Sequence, residues 1–157
     1  GADLQVWVYY HILPHKDLTL RIWGAEDPDV PTWQRTLAKP LYPAMAAFLR
    51  RTFRIDDAHY AKAVEHVDQM LTDAEATLQD GDGYLLGGDM PSYVDITFAA
   101  ISGLWQQPDN YGGGQAEDCR VAFDALPKAM QEDVERWRQT FPVATAFIER
   151  LYAEERI

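Results

Sequence analysis

Between Ser92 and Trp105 the chain carries Tyr93, Val94, Ile96, Phe98, Ala99, Ala100, Ile101, Leu104 and Trp105, and leaves hardly any polar face. A helix that is apolar on every side is stable only when other elements surround it, so this segment predicts a central helix and a shell of partners. Thr97, Ser102 and Gly103 interrupt the stretch, which also falls well short of the roughly 20 apolar residues a bilayer crossing needs. The expected setting is the middle of a helical bundle.

The rest of the chain supplies that shell. Apolar residues recur at helical spacing almost throughout and alternating strand-like runs are missing, so the expected fold class is all-α, a single domain of five to six helices over residues 1–157. Residues 1–30 hold a first helical segment and a loop. In that segment Trp7, Tyr10, His11 and Leu13 or Leu18 form an apolar side, and Pro14, lacking an amide hydrogen, must kink or end it. Pro31 opens a second stretch with the apolar run Trp33, Leu37, Leu41, Ala44, Phe48 and Leu49. Pro40 and Pro43 are expected to interrupt its hydrogen bonding, and Arg50, Arg51 and Arg54 place positive charge at its C-terminal end, as the helix dipole favours. Those arginines also have an anion-binding reading.

Asp56 has the form of an N-cap, with Ile55 and Tyr60 as a hydrophobic staple. Tyr60, Val64, Val67, Leu71, Ala74 and Leu78 then make one buried stripe, while Lys62, Glu65, Asp68, Asp73 and Glu75 are expected to point away, and the helix stops near Gly81. After a Gly-rich loop from Gln106 to Gln115, Met130, Val134, Trp137 and Phe141 mark another amphipathic helix, and Pro142 opens a last one carrying Val143, Phe147 and Leu151.

Composition narrows the function classes. The single cysteine, Cys119, excludes an internal disulfide framework, a CxxC redox pair and a thiolate zinc site, and suits a reducing compartment, so the expected location is cytoplasmic. The 25 acidic residues against 14 basic give a net charge of -11, a field that repels phosphate backbones and anionic lipid. Neither nucleic acid nor a membrane is an expected partner. The opening residues Gly1 to Leu4 carry no secretory signal and no initiator methionine, which reads as a fragment or a processed chain.

A carboxylate at the head of so apolar a helix needs donors. The spacing of Ser92 and Asp95 supplies them as a capping box: the serine hydroxyl can accept from the Asp95 amide, and the aspartate reaches back to the Ser92 amide. This structural role is preferred over a catalytic acid or base at Asp95. The full phrase YLLGGDMPSYVDITFAA resembles the capping-box signature of the C-terminal helical domain of glutathione S-transferases. LYPAMAAFLRRTFRI and FPVATAFIERLYAEER resemble that domain's preceding and closing helices, so the likeness runs from about Pro31 to the end. Val94 stands where the family usually has alanine, and the first 24 residues match less specifically.

The resemblance implies a glutathione transferase C-terminal-like bundle that holds a small hydrophobic electrophile and supports a homodimer. It also implies that glutathione, the cosubstrate, binds a thioredoxin-like domain with no counterpart in these 157 residues. No catalytic residue, cofactor or metal is then expected in this chain, and alone it should be inactive. Wide aromatic surface suits flat apolar molecules, so Trp7, Tyr10 and His11, with Trp105 and Tyr111 near the glycine loop, are the expected wall of the electrophile site. Each has an alternative place in the core or at a domain interface. Gly112, Gly113 and Gly114 are a connection or a lid. The second reading of the whole is a non-catalytic protein-interaction module of the same fold.

Other chemistries fail on spacing. Tyr84 and Leu85 occupy ligand and glycine places of a calcium loop begun at Asp80, Gly81, Gly83 and Gly87 miss the dinucleotide pattern, and neither Ser92 nor Ser102 sits in a nucleophile elbow. Pro14 separates His11 from His15, which spoils a zinc pair, and Glu117 and Asp118 beside Cys119 disfavour its thiolate.

Overall fold

The computed structural model of the chain describes residues 1–25, 27–80, 83–109, 111 and 120–154. Among these residues the fold is all-helical: α1 (Ala2–Ile12), α2 (Lys16–Ile22), α3 (Thr32–Thr52), α4 (Asp57–Asp80), α5 (Tyr93–Gln106), α6 (Lys128–Thr140) and α7 (Pro142–Glu154), with one 3-10 turn at Phe123–Ala125. That is seven α-helices among the described residues where five to six are expected, with the first segment divided at Pro14 into two pieces as expected. No described helix is long and apolar enough to cross a membrane. The Gly112–Gly114 stretch, Gly81, Asp82 and Cys119 lie outside the described residues.

The break at Pro14 is rebuilt by side chains. The carbonyl of Ile12 accepts from the His15 amide at 2.8 Å and the Thr19 hydroxyl at 2.5 Å, and the Leu13 carbonyl accepts from the Tyr42 hydroxyl at 2.7 Å. Orphaned helix-end carbonyls buried without such donors would be costly. Tyr42 thereby fastens α3 to the α1–α2 corner, where a small core of Leu13, Leu20, Tyr42 and Ala46 forms.

Helix α3 accommodates two prolines that each remove a hydrogen bond from it. It runs unbroken through Pro40 and Pro43. Both prolines are exposed, so the carbonyls they leave without an amide partner can turn to water. Most of its apolar run is open: Trp33 is 63%, Leu37 47%, Leu41 51% and Phe48 67% exposed, with Met45 beside them at 41%. The inward side is instead Ala38, Tyr42, Ala46 and Leu49. Helical periodicity reports an apolar face without reporting what covers it.

The larger core lies among α1, α4, α5, α6 and α7. Helix α4 buries Val67, Leu71, Ala74 and Leu78, with Tyr60 and Val64 partly buried, as its pattern predicts. Asp56 caps it by accepting the His59 amide at 2.9 Å. The staple partners separate, Ile55 packing on the small core and Tyr60 on the large one. Two acids expected to point outward accept bonds from neighbouring helices instead, Glu75 buried and Asp68 still partly exposed. Glu75 is 8% exposed and accepts the amides of Val143 at 3.2 Å and Ala144 at 2.7 Å, capping α7. Asp68 accepts the Trp137 indole N–H at 2.6 Å and the Arg136 guanidinium at 3.0 Å.

Helix α5 is central over its later turns, where Phe98, Ala99, Ser102, Gly103 and Trp105 are buried. Its first turns are not enclosed: Tyr93 and Ile96 are 79% and 57% exposed, next to Leu86 and Met90 at 66% and 77%. Gly103 is required for packing, since a Cβ there would stand 2.8 Å from the Tyr111 ring and closer still to the Tyr152 hydroxyl.

Candidate functional site

The head of α5 is built as its sequence predicts. The capping box of Ser92 and Asp95 is present. The Asp95 carboxylate accepts the Ser92 amide at 2.7 Å and the Ser92 hydroxyl at 2.6 Å, and the Ser92 hydroxyl accepts the Val94 amide at 3.2 Å. The second Asp95 oxygen accepts the Leu85 amide at 2.7 Å, which ties the preceding loop to the helix. Burial pushes the Asp95 carboxyl up, but these bonds more than reverse it and hold the group below the ordinary carboxylate range. Three of its acceptor positions are taken up by the loop and the helix start.

The five aromatic and histidine positions of the expected wall fall into two groups. Trp7, Tyr10 and His11 converge with Tyr60 around one carboxylate, Asp133 of α6. One Asp133 oxygen accepts the Trp7 indole N–H at 2.8 Å and the Tyr60 hydroxyl at 2.7 Å, and His11 Nε2 lies 3.3 Å from it. Tyr10 stacks on Tyr60 with ring centroids 4.0 Å apart and donates its hydroxyl to Asp57 at 2.9 Å. Trp7 is fully buried and His11 nearly so, which leaves the half-buried Tyr10–Tyr60 pair as the surface this group offers. His15, exposed at the start of α2, takes no part.

Trp105 and Tyr111 sit at the far end of the same aromatic core. Trp137 lies between the two tryptophans of the wall, 4.9 Å from Trp7 and 5.5 Å from Trp105, centroid to centroid. Trp105 is 2% exposed, and it forms the floor of a cleft of about 480 Å³ that also reaches Phe123, Leu126 and Arg138. Tyr111 packs near Tyr152 at 6.3 Å. The structure therefore does not gather all five residues round one opening.

Electrostatics limits what the Asp133 group can do. Burial pushes the Asp133 carboxyl up, and the bonds from His11, Trp7 and Tyr60 outweigh it and hold the group below its usual range. The Tyr60 phenol is pushed far above its ordinary value by burial first and by its bond to Asp133 second, and Tyr10 is raised by its bond to Asp57. Activating a thiol takes a donor or base that is free to stabilise the thiolate. Both phenols stay protonated at neutral pH and are already committed to carboxylates.

Sequence reasoning missed Asp133, Tyr60 in its polar role, Glu75 and Arg138. Asp133 meets Trp7, His11 and Tyr60 across separations of 126, 122 and 73 residues, so no local pattern signals it. Compared with family models, curated proteins and solved structures, the chain matches none.

Proposed function

We propose that this chain is the hydrophobic-substrate-binding helical domain of a glutathione S-transferase-like protein, folded as that family's C-terminal bundle. It works beside a thioredoxin-like domain that binds glutathione. The observation that carries the reading is the head of α5: the phrase that resembles the family signature is the one whose Asp95 locks both the loop at Leu85 and the helix start at Ser92. The engaged phenols of Tyr10 and Tyr60 fit a chain that presents an aromatic face to an electrophile and leaves thiol activation to another domain. A homodimer in the cytoplasm belongs to the same reading, and the single cysteine suits that compartment.

A specific observation favours a second reading. The contiguous exposed stripe of Trp33, Leu37, Leu41, Met45 and Phe48 is the kind of apolar surface that marks a protein-docking face, so a non-catalytic interaction module is the alternative. One experiment separates the two: 1-chloro-2,4-dinitrobenzene is titrated into the chain, and its conjugation with glutathione is followed in the same solution. The transferase-domain reading expects saturable binding with no conjugation above the uncatalysed rate. Turnover by the chain alone contradicts the division of labour, and absence of binding leaves the docking module.

A further inference from the structure

The last turn of α5 ends in carbonyls that have no intrahelical donor, and arginines supply one. Gln107 closes the helix in a left-handed conformation (φ 46°). Arg138 of α6 donates Nη2 to the Gln106 carbonyl and Nε to the Gln106 side-chain oxygen, both at 3.0 Å. Arg120 donates Nη2 to the neighbouring Gln107 carbonyl at 3.0 Å and Nη1 to the Asp109 carbonyl at 3.3 Å. Arg21 of α2 reaches the Arg120 carbonyl at 3.4 Å. Adjacent helix-end carbonyls thus accept from two different arginines, and a third reaches the backbone beside them.

These three arginines line the cleft of about 480 Å³ whose floor is Trp105, Phe123 and Leu126, and none of the described residues lining it is acidic. That composition reverses the chain's overall balance of 25 acidic to 14 basic residues. Asp109 pairs with Arg120 at 3.2 Å, and Glu149 accepts from the Gln106 side chain at 2.7 Å and lines the neighbouring cleft. Glu149 and Glu135 do not offset the burial of Arg138, whose pKa burial lowers despite both of them. The Arg138 guanidinium lies 5.0 Å from the Phe123 ring centre and spends two of its five N–H donors on Gln106. The volume falls in the range of about 300–1,000 Å³ typical of small-molecule sites.

We propose that this cleft binds a phosphate monoester carried on a flat apolar body, an aryl phosphate. Three guanidiniums line the cleft, and a phosphate monoester near neutral pH brings them a charge of about -1.5 to -2 and three acceptor oxygens. Guanidinium forks suit phosphate oxygens, and the partly exposed Phe123 ring, backed by the buried Trp105 and Leu126, offers an apolar surface for an aryl group. The inference rests on the cleft alone and stands or falls separately from the transferase reading.

Calorimetric titration of the whole chain with 1-naphthyl phosphate, 1-naphthyl sulfate, 1-naphthol and inorganic phosphate tests it. The expected affinity order is phosphate ester, then sulfate ester, then naphthol, with at least about tenfold between first and last. Inorganic phosphate alone is expected to bind more weakly than the naphthyl ester. Affinity for the ester should fall as the pH drops from 7.5 to 5 and the phosphate, with a second pKa of about 6, loses a charge. Arg138→Gln should weaken the ester about tenfold, and Arg21→Gln, an exposed side chain whose loss leaves the fold intact, several-fold. Arg150→Gln, whose guanidinium lies over Tyr84 and Phe147, should leave binding unchanged. Naphthol binding as tightly as its phosphate, inorganic phosphate binding as tightly as the ester, no binding of the ester at all, or full affinity in Arg21→Gln would each overturn the proposal.

Discussion

The two cores of this bundle are held together by different means. The larger one, among α1 and α4–α7, is stitched by carboxylates: Asp133 gathers Trp7, His11 and Tyr60, Asp95 ties Leu85 to Ser92, Glu75 caps α7, and Asp68 takes the Trp137 indole. The smaller one, beneath α3, rests on four buried residues and the hydroxyls of Tyr42 and Thr19, and the outer face of α3 is apolar and open. A chain with 25 acids has turned several of them inward as acceptors for buried indole, phenol and amide donors. Such groups cost about 1–3 kcal/mol each when left unpaired. The contrast separates a rigid frame from a helix laid against it.

The largest expected effect that would sharpen this contrast is Asp133→Ala, which leaves two buried donors and His11 without their acceptor and should cost about 3 kcal/mol in denaturant unfolding. A cost below about 1 kcal/mol would mean the carboxylate is not what holds the larger core.

Acid titration comes next. Asp95 and Asp133 are both held below the ordinary carboxylate range in the folded chain. Their contribution is therefore complete above the unfolded value of about pH 3.9 and is lost as the pH falls through the lower folded values. The melting temperature should drop steeply below about pH 4, and the Asp95→Asn, Asp133→Asn double variant should melt lower at pH 7 with a flatter acid limb. An acid limb equally steep in that variant would place the sensitivity elsewhere.

Within the smaller core, Tyr42→Phe removes the donor to the Leu13 carbonyl and should cost about 1 kcal/mol, read as a lower denaturation midpoint with an unchanged slope. The smallest effect belongs to the open face: Phe48→Ser should change stability by no more than about 0.5 kcal/mol. A loss of about 2 kcal/mol or more there would show that α3 buries this face in solution.

How much of this was legible in the sequence follows from what each signal reports. Pro14 announces a broken helix because it cannot donate, and Ser92 with Asp95 announces a helix start because both partners lie within one turn. The α4 stripe is equally local, and all three readings agree with the structure. Glu75 and Asp68 were assigned to solvent because a charged residue on a helix usually faces water, and only the arrival of α7 and α6 gives them buried donors. The period of Trp33, Leu37, Leu41 and Phe48 announces a helix correctly, but period alone cannot say which apolar face meets a partner, and this one is open. The Asp133 cluster and the arginine cleft depend on residues from distant segments, so neither leaves a mark in any window of the chain.

Native-state hydrogen exchange reads the difference between the two cores most directly, since it reports the free energy of opening residue by residue. The account predicts that amides of α4, α5 and α7 exchange only through global unfolding, with Ser92 and Leu85 protected by Asp95, whereas α3 opens several kcal/mol below that limit. Protection of α3 equal to that of α4, or free exchange at Ser92 and Leu85, would contradict a carboxylate-stitched frame carrying a loosely laid helix.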